Sequence, residues 1–178
     1  MKFRYACLLL FVLLLGPGAA VLQAEAQPVS TPYTKLDAEG RELAPAAKEW
    51  AMVRDNKTGL IWEAKTTDGS IHDKDKVFNW DGAQKDFIDE LNRQKFGGFA
   101  DWRLPTTDEL RGLTVKGAEP YIDQEFFPNT VPTSYLSWRK CGSGEIFDER
   151  VKFGEQRNTK KDRRVRAVRN GQNPGGGK

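Results

Sequence analysis

The sequence predicts an α+β domain. Two stretches carry apolar residues at helical spacing, several short alternating stretches are bounded by turn residues, and no internal repeat appears at solenoid or propeller periods. The chain has 178 residues with 28 Lys and Arg, 25 Asp and Glu, one His and two Cys. That length suits a single domain, and the ordinary apolar content argues against disorder throughout and against a fibre. One His and two Cys exclude zinc sites built from several of them and leave Ser-His-Asp chemistry dependent on His72. The expectation is a non-enzymatic protein without a cofactor.

The N-terminus reads as an export signal over residues 1–26. Lys2 and Arg4 precede an apolar run from Ala6 to Leu15, then Gly16-Pro17-Gly18 and the small-residue pattern Ala24-Glu25-Ala26, with cleavage before Gln27. The run is shorter than the roughly 20 residues a membrane-spanning helix needs, so the mature chain is expected to have no membrane span and to be periplasmic or secreted. Cys7 leaves with the signal, and Cys141 is then either a buried free thiol or an intermolecular partner. Residues 27–49 are polar with three prolines and read as a flexible linker; residues 170–178, rich in Gly and Asn, read as a flexible tail. The folded unit is then 50–169.

Within it, Ala51–Asp55 and Leu60–Glu63 form a candidate hairpin around Asn56-Lys57-Thr58-Gly59. Residues 64–76 are charged, carry His72 as an exposed loop residue, and receive no regular structure. Trp80, Ala83, Phe87 and Leu91 recur three and four apart behind a capping Asn79, which predicts a helix over 80–92. Thr106-Thr107-Asp108-Glu109 is a capping box opening a short helix with Leu110 and Leu113 on its apolar face. Short strands are expected at Tyr135–Trp138, Ile146–Phe147, Val151–Phe153 and Arg163–Arg169.

Several of these pieces resemble one family in order and composition. Asp55-Asn56-Lys57-Thr58-Gly59-Leu60-Ile61-Trp62, Trp80-Asp81-Gly82-Ala83 and Asp101-Trp102-Arg103-Leu104-Pro105-Thr106 with Glu109-Leu110 are similar to the domain named for the C-terminal part of the Legionella collagen-like adhesin. Ile122-Asp123, Phe127-Pro128-Asn129-Thr130, Tyr135 with Ser137, and Val165–Arg169 extend the resemblance over 50–169. It implies a C-type-lectin-like fold and, by its name-giving member, binding of sulphated glycosaminoglycans, although fold transfers better than function. Many members carry a disulfide whose two cysteines fall at Phe87 and Ala167 here. A large Phe facing a small Ala would replace the bridge by packing; otherwise the alignment is off by a turn.

The lectin calcium motif is missing, since Glu119-Pro120-Tyr121 stands where an asparagine or aspartate would follow the proline and no Trp-Asn-Asp occurs. Asp68, Ser70, Asp73 and Asp75 lack the glycine and terminal glutamate of an EF-hand loop, so no metal is expected. Formylglycine-generating enzymes share an Arg-Leu-Pro-Thr string, but their cysteine pair is not available to a chain left with Cys141. Trp62, Trp80 and Trp102 are expected in the core, whereas Trp138 and Tyr135 are candidates for stacking on a sugar ring.

Charge is the strongest functional signal. Residues 150–169 hold nine basic and two acidic side chains, whereas 27–149 hold 16 basic and 22 acidic. If Val151, Phe153, Val165 and Ala167 point inward, alternation turns Arg150, Lys152, Arg164 and Arg166 outward, with Lys160 and Lys161 nearby. This basic face is the candidate site for an anionic polysaccharide, sulphated or uronic, and no nucleic acid partner is expected. The alternative readings are an acidic protein surface as partner, in a structural or protein-interaction domain of the bacterial envelope, and a solvated edge that discourages aggregation.

Overall fold

The computed structural model describes residues 31–118, 121–138 and 162–171, together with the strand at 143–145. Its chain order is β1 (Tyr33–Leu36), β2 (Met52–Asp55), β3 (Leu60–Glu63), β4 (Val77–Phe78), a helical stretch beginning with α1 (Trp80–Gly82), α3 (Thr107–Gly112), β5 (Ser134–Leu136), β6 (Ser143–Glu145), β7 (Arg163–Arg164) and β8 (Val168–Asn170). The helical stretch continues from α1 through a π-helical turn at Ala83–Ile88 into α2 (Asp89–Gln94). The α+β class holds.

The hairpin forms where the sequence puts it. Asp55 Oδ1 accepts from the backbone N–H groups of Lys57 and Thr58, and Gly59 takes the left-handed conformation that closes the turn. Val53 then faces Trp62, and Arg54 faces Ile61. Alternation gives the sheet two buried faces: Met52 and Ile61 pack with the helix, while Val53, Trp62 and Val168 pack with α3 and Phe127.

The first sheet has the order β1-β2-β3-β8, all antiparallel. The expectation of a flexible linker over 27–49 is corrected at Tyr33–Leu36, which form a strand. Tyr33–Leu36 pairs residue for residue with β2, Leu36 is buried, and Lys35 lies 4.0 Å from the Trp50 ring centroid. Short strands of mixed polarity are hard to see in a proline-containing stretch, because their partner, not their own pattern, makes them strands. Asn170 likewise ends β8 and does not begin a tail.

The second sheet has the order β4-β7-β5-β6 and is mixed, since β5 and β7 are parallel. The sequence reading expected short antiparallel strands throughout; a crossover partner more than twenty residues away is not visible locally. Arg163–Arg169 is not one strand: 165–167 lie between β7 and β8, and Val165, Arg166 and Ala167 are all buried in succession. The proposed strands at Ile146–Phe147 and Val151–Phe153, the signal at 1–26, and Cys141 lie outside the described residues.

Asn79 caps the first helix through Gly82 N–H, as its position suggests. Ala83, Phe87 and Leu91, spaced four apart, would drift about 40° per step around an α-helix. The wider π turn drifts the other way and keeps them, with Ile88, on the core side. Phe87 and Ala167 are both fully buried in the same core cluster.

Candidate functional site

The residues expected to form the basic face divide into three groups. Arg150, Lys152, Lys160 and Lys161 lie outside the described residues. Arg164 is half-buried, donating from Nε to the Lys74 carbonyl (2.9 Å) and from Nη2 to Asp75 (3.2 Å). Arg166 does not turn outward: it is 0 % exposed, donating to the Glu63 carbonyl oxygen at 2.7 Å and to Thr130 Oγ1 at 2.8 Å. The alternation argument failed because 165–167 are not a strand, so period two does not apply there. Tyr135 is also corrected, since it is buried at 1 % and cannot offer its face to a sugar. Trp138, by contrast, is 50 % exposed, with its backbone N–H anchored on the Pro105 carbonyl.

Arg166 belongs to a buried polar cluster that the sequence reading missed. Glu63 Oε1 accepts from Lys65 Nζ at 2.9 Å and contacts His72 Nδ1 at 2.8 Å, while Oε2 accepts from the Ala167 N–H at 3.0 Å. A carboxylate only accepts, so His72 Nδ1 is the donating nitrogen. Burial pushes the Glu63 carboxyl upward, but the Lys65 charge and His72 outweigh it and hold the group below its ordinary range. Burial pulls the Lys65 ammonium down, and Glu63 offsets part of that. His72, expected as an exposed loop residue, instead has its ring 4.3 Å from that of Phe96. The signal that could have found this cluster is weak: Glu63 and Lys65 at alternate positions of a strand end, with a lone His nine residues on.

The loop 64–76 is ordered by its own aspartates. Asp68 accepts from Thr66 Oγ1 and the Ser70 N–H, and Asp73 accepts from the Gly69 and Asp75 N–H groups. Hydrogen bonds from the Ser70 and Thr66 side chains, and then from the Ser70 N–H, hold the Asp68 carboxyl well below the usual range. Among the described residues no His, Cys, Asp and Glu cluster is arranged to hold a metal ion.

The Trp-Arg-Leu-Pro-Thr string proves architectural. Trp102 exchanges two hydrogen bonds with the Asn92 side chain, and its indole N–H donates to the Phe96 carbonyl. Arg103 forks onto Glu109 at 2.8 and 2.7 Å, Glu109 also accepts from the Thr106 N–H, and Thr106 Oγ1 caps Glu109 N–H. The Arg103 backbone exchanges two bonds with Val168, tying the string to β8.

A cleft of about 630 Å³ opens on the helix-side face of the first sheet. Its floor is a cross-strand row: Arg54 on β2 faces Ile61 on β3, which faces Arg169 on β8. Each arginine is met by a carboxylate from outside the sheet. Arg54 Nη1 lies 2.7 Å from Glu42, and Arg169 forks onto Asp101 at 2.7 and 3.1 Å. The Arg169 guanidinium also lies 3.7 Å over the Phe99 ring. One wall is the 37–42 turn, pinned by Asp37 Oδ1 accepting from Glu39 and Arg41 N–H groups. That turn presses on the 97–99 segment closely enough that a Cβ on Gly40 would fall 2.8 Å from the Gly97 carbonyl oxygen. None of these cleft residues was expected as part of a site from the sequence, since the lining comes from five separate segments.

Among the described residues no helix is long and apolar enough to cross a membrane. No solved structure matches this chain. Among curated proteins, the formamidopyrimidine-DNA glycosylase of Prochlorococcus marinus is 27% identical over 106 residues, which is 59% of this chain and 37% of that protein. The chain thus spans little more than a third of that relative's length. The family model for the Lcl C-terminal domain matches residues 51–169, from the residue before β2 into β8. The motif blocks that carried the resemblance build the caps, turns and cross-links of this fold, and with that match the chain belongs to the Lcl C-terminal domain family and contains an adhesin-related domain.

Proposed function

We propose that the protein is an exported, non-enzymatic binding module of the bacterial envelope or cell surface, with a C-type-lectin-like arrangement and an anionic polysaccharide, sulphated or uronic, as its ligand. The observation that supports it best is Trp138. A half-exposed indole on an anchored backbone stands shortly before a stretch in which 150–161 carries five cations (Arg150, Lys152, Arg157, Lys160 and Lys161) against the single acid Glu155. An indole face for a sugar ring together with cations for its sulphates or carboxylates is the pairing such a ligand needs. Within 163–169 the fold itself uses Arg164, Arg166 and Arg169, so the polyanion reading narrows to the earlier cations and Trp138. The non-enzymatic reading draws support from Glu63, Asp101 and Glu109, each already engaged by lysine or arginine.

The test is heparin chromatography at two salt concentrations. Retention of the wild type should fall about tenfold or more between low and physiological salt, by analogy with counterion release. Lys160→Ala with Lys161→Ala should reduce retention without lowering thermal stability, and Trp138→Ala should weaken it further. Retention unchanged in the lysine double variant would return these cations to the role of a solvated edge.

A further inference from the structure

The cleft on the first sheet has a chemistry different from that of the basic stretch 150–161. Its charges cancel in pairs, Arg54 with Glu42 and Arg169 with Asp101, so it has no net attraction for a polyanion, and the carboxylates would repel one. It does not suit a wholly apolar ligand either, because that would desolvate four charged groups. A ligand carboxylate would have to displace Asp101 from a bidentate fork. What remains is a neutral ligand with many hydroxyls, each able to donate to a carboxylate and accept from a guanidinium.

Three further features fit such a ligand. The half-buried Phe99 and the small exposed part of Ile61 place apolar surface beside and between the ion pairs, where the C–H edge of a sugar ring would rest. The Arg169 guanidinium is held in place, with Nε and Nη2 on Asp101 and its plane 3.7 Å over the Phe99 ring, so the ion pair presents a fixed polar edge to the cleft. The walls are set in advance by the pinned 37–42 turn and by the ion pairs, so little ordering is left for binding. We propose that this cleft binds a neutral saccharide of a few sugar units, through hydrogen bonds to the Arg54–Glu42 and Arg169–Asp101 pairs above the Ile61 and Phe99 floor.

The test is an NMR titration of the full chain with maltotriose, cellotriose and triacetylchitotriose, with a heparin hexasaccharide as the anionic comparison. At least one neutral trisaccharide should shift the backbone amides of Gly98, Ala100 and Asp101 saturably. Ala100 is exposed at the cleft, so Ala100→Trp should block it and abolish those shifts. Glu42→Gln should weaken binding about tenfold, the loss expected for one hydrogen bond to a charged group. Both variants should keep wild-type melting and wild-type heparin retention, which separates this site from the polyanion reading. The proposal is overturned if none of the three trisaccharides moves those amides, if Ala100→Trp leaves binding unchanged, or if the heparin hexasaccharide shifts the same amides.

Discussion

Arg166 shows how one side chain can look like a ligand contact and behave as a core residue. Its guanidinium lies over the Phe127 ring and holds the Glu63 carbonyl and Thr130, with Nε left without a partner among the described residues. Arg166→Ala should therefore destabilise the domain by about 3 kcal/mol or more in urea unfolding, through a cavity and two stranded acceptors. Arg166→Met, which keeps the volume and removes the buried charge, should cost clearly less. Two titrating groups set the pH window. Glu63 is held below its ordinary range, so its contribution is complete above the usual glutamate pKa and is lost as pH falls through the lowered value. Tyr33 is pushed up to about 12 by burial and then by Asp55 and Asp123. Its contribution is complete below the ordinary tyrosine value of about 10 and is lost as pH rises towards that raised one. Unfolding midpoints measured from pH 9 to 12 should fall, and Tyr33→Phe should flatten that fall.

At the scale of elements, the α3 capping box is the clearest test, because every one of its bonds is made. Thr106→Ala should cost about 1 kcal/mol by thermal melting. Glu109→Gln should cost more than a surface change, since Glu109 serves both the cap and the Arg103 fork. A paired Phe87→Cys and Ala167→Cys should close a bridge and stabilise by about 2–4 kcal/mol, with failure of the thiols to pair marking a wrong alignment. These elements were legible because their causes are local: a cap three residues from its partner, a turn closed by Gly59, apolar residues four apart. Three features were not. β1 is a strand only because β2 lies beside it, β5 and β7 pair in parallel across a long crossover, and the Arg54–Ile61–Arg169 row exists only once three strands are in register. The polar cluster around Glu63 was hidden for the same reason, and Arg166 misled because charge in a sequence does not say which cations the fold will consume.

For the molecule as a whole, the match to the family starts at residue 51, yet the folded sheet starts at Tyr33. A chain begun at Glu49 should lose the Leu36 contact and the β1 edge, lowering stability by at least about 2 kcal/mol in urea unfolding. The same sheet is completed at the far end of the chain, where β8 pairs with β3 and the Ala167 N–H donates to Glu63, 104 residues away in sequence. Closing so long a loop must precede any reward from the contacts it creates. The consequence is one of timing: until β8 and the residues just before it have emerged, the central sheet lacks a strand, the Glu63 carboxylate lacks one of its three donors, and the Arg103 backbone lacks the Val168 pairing. A nascent chain therefore stays open until β8 is available, and folding becomes the event that follows its synthesis.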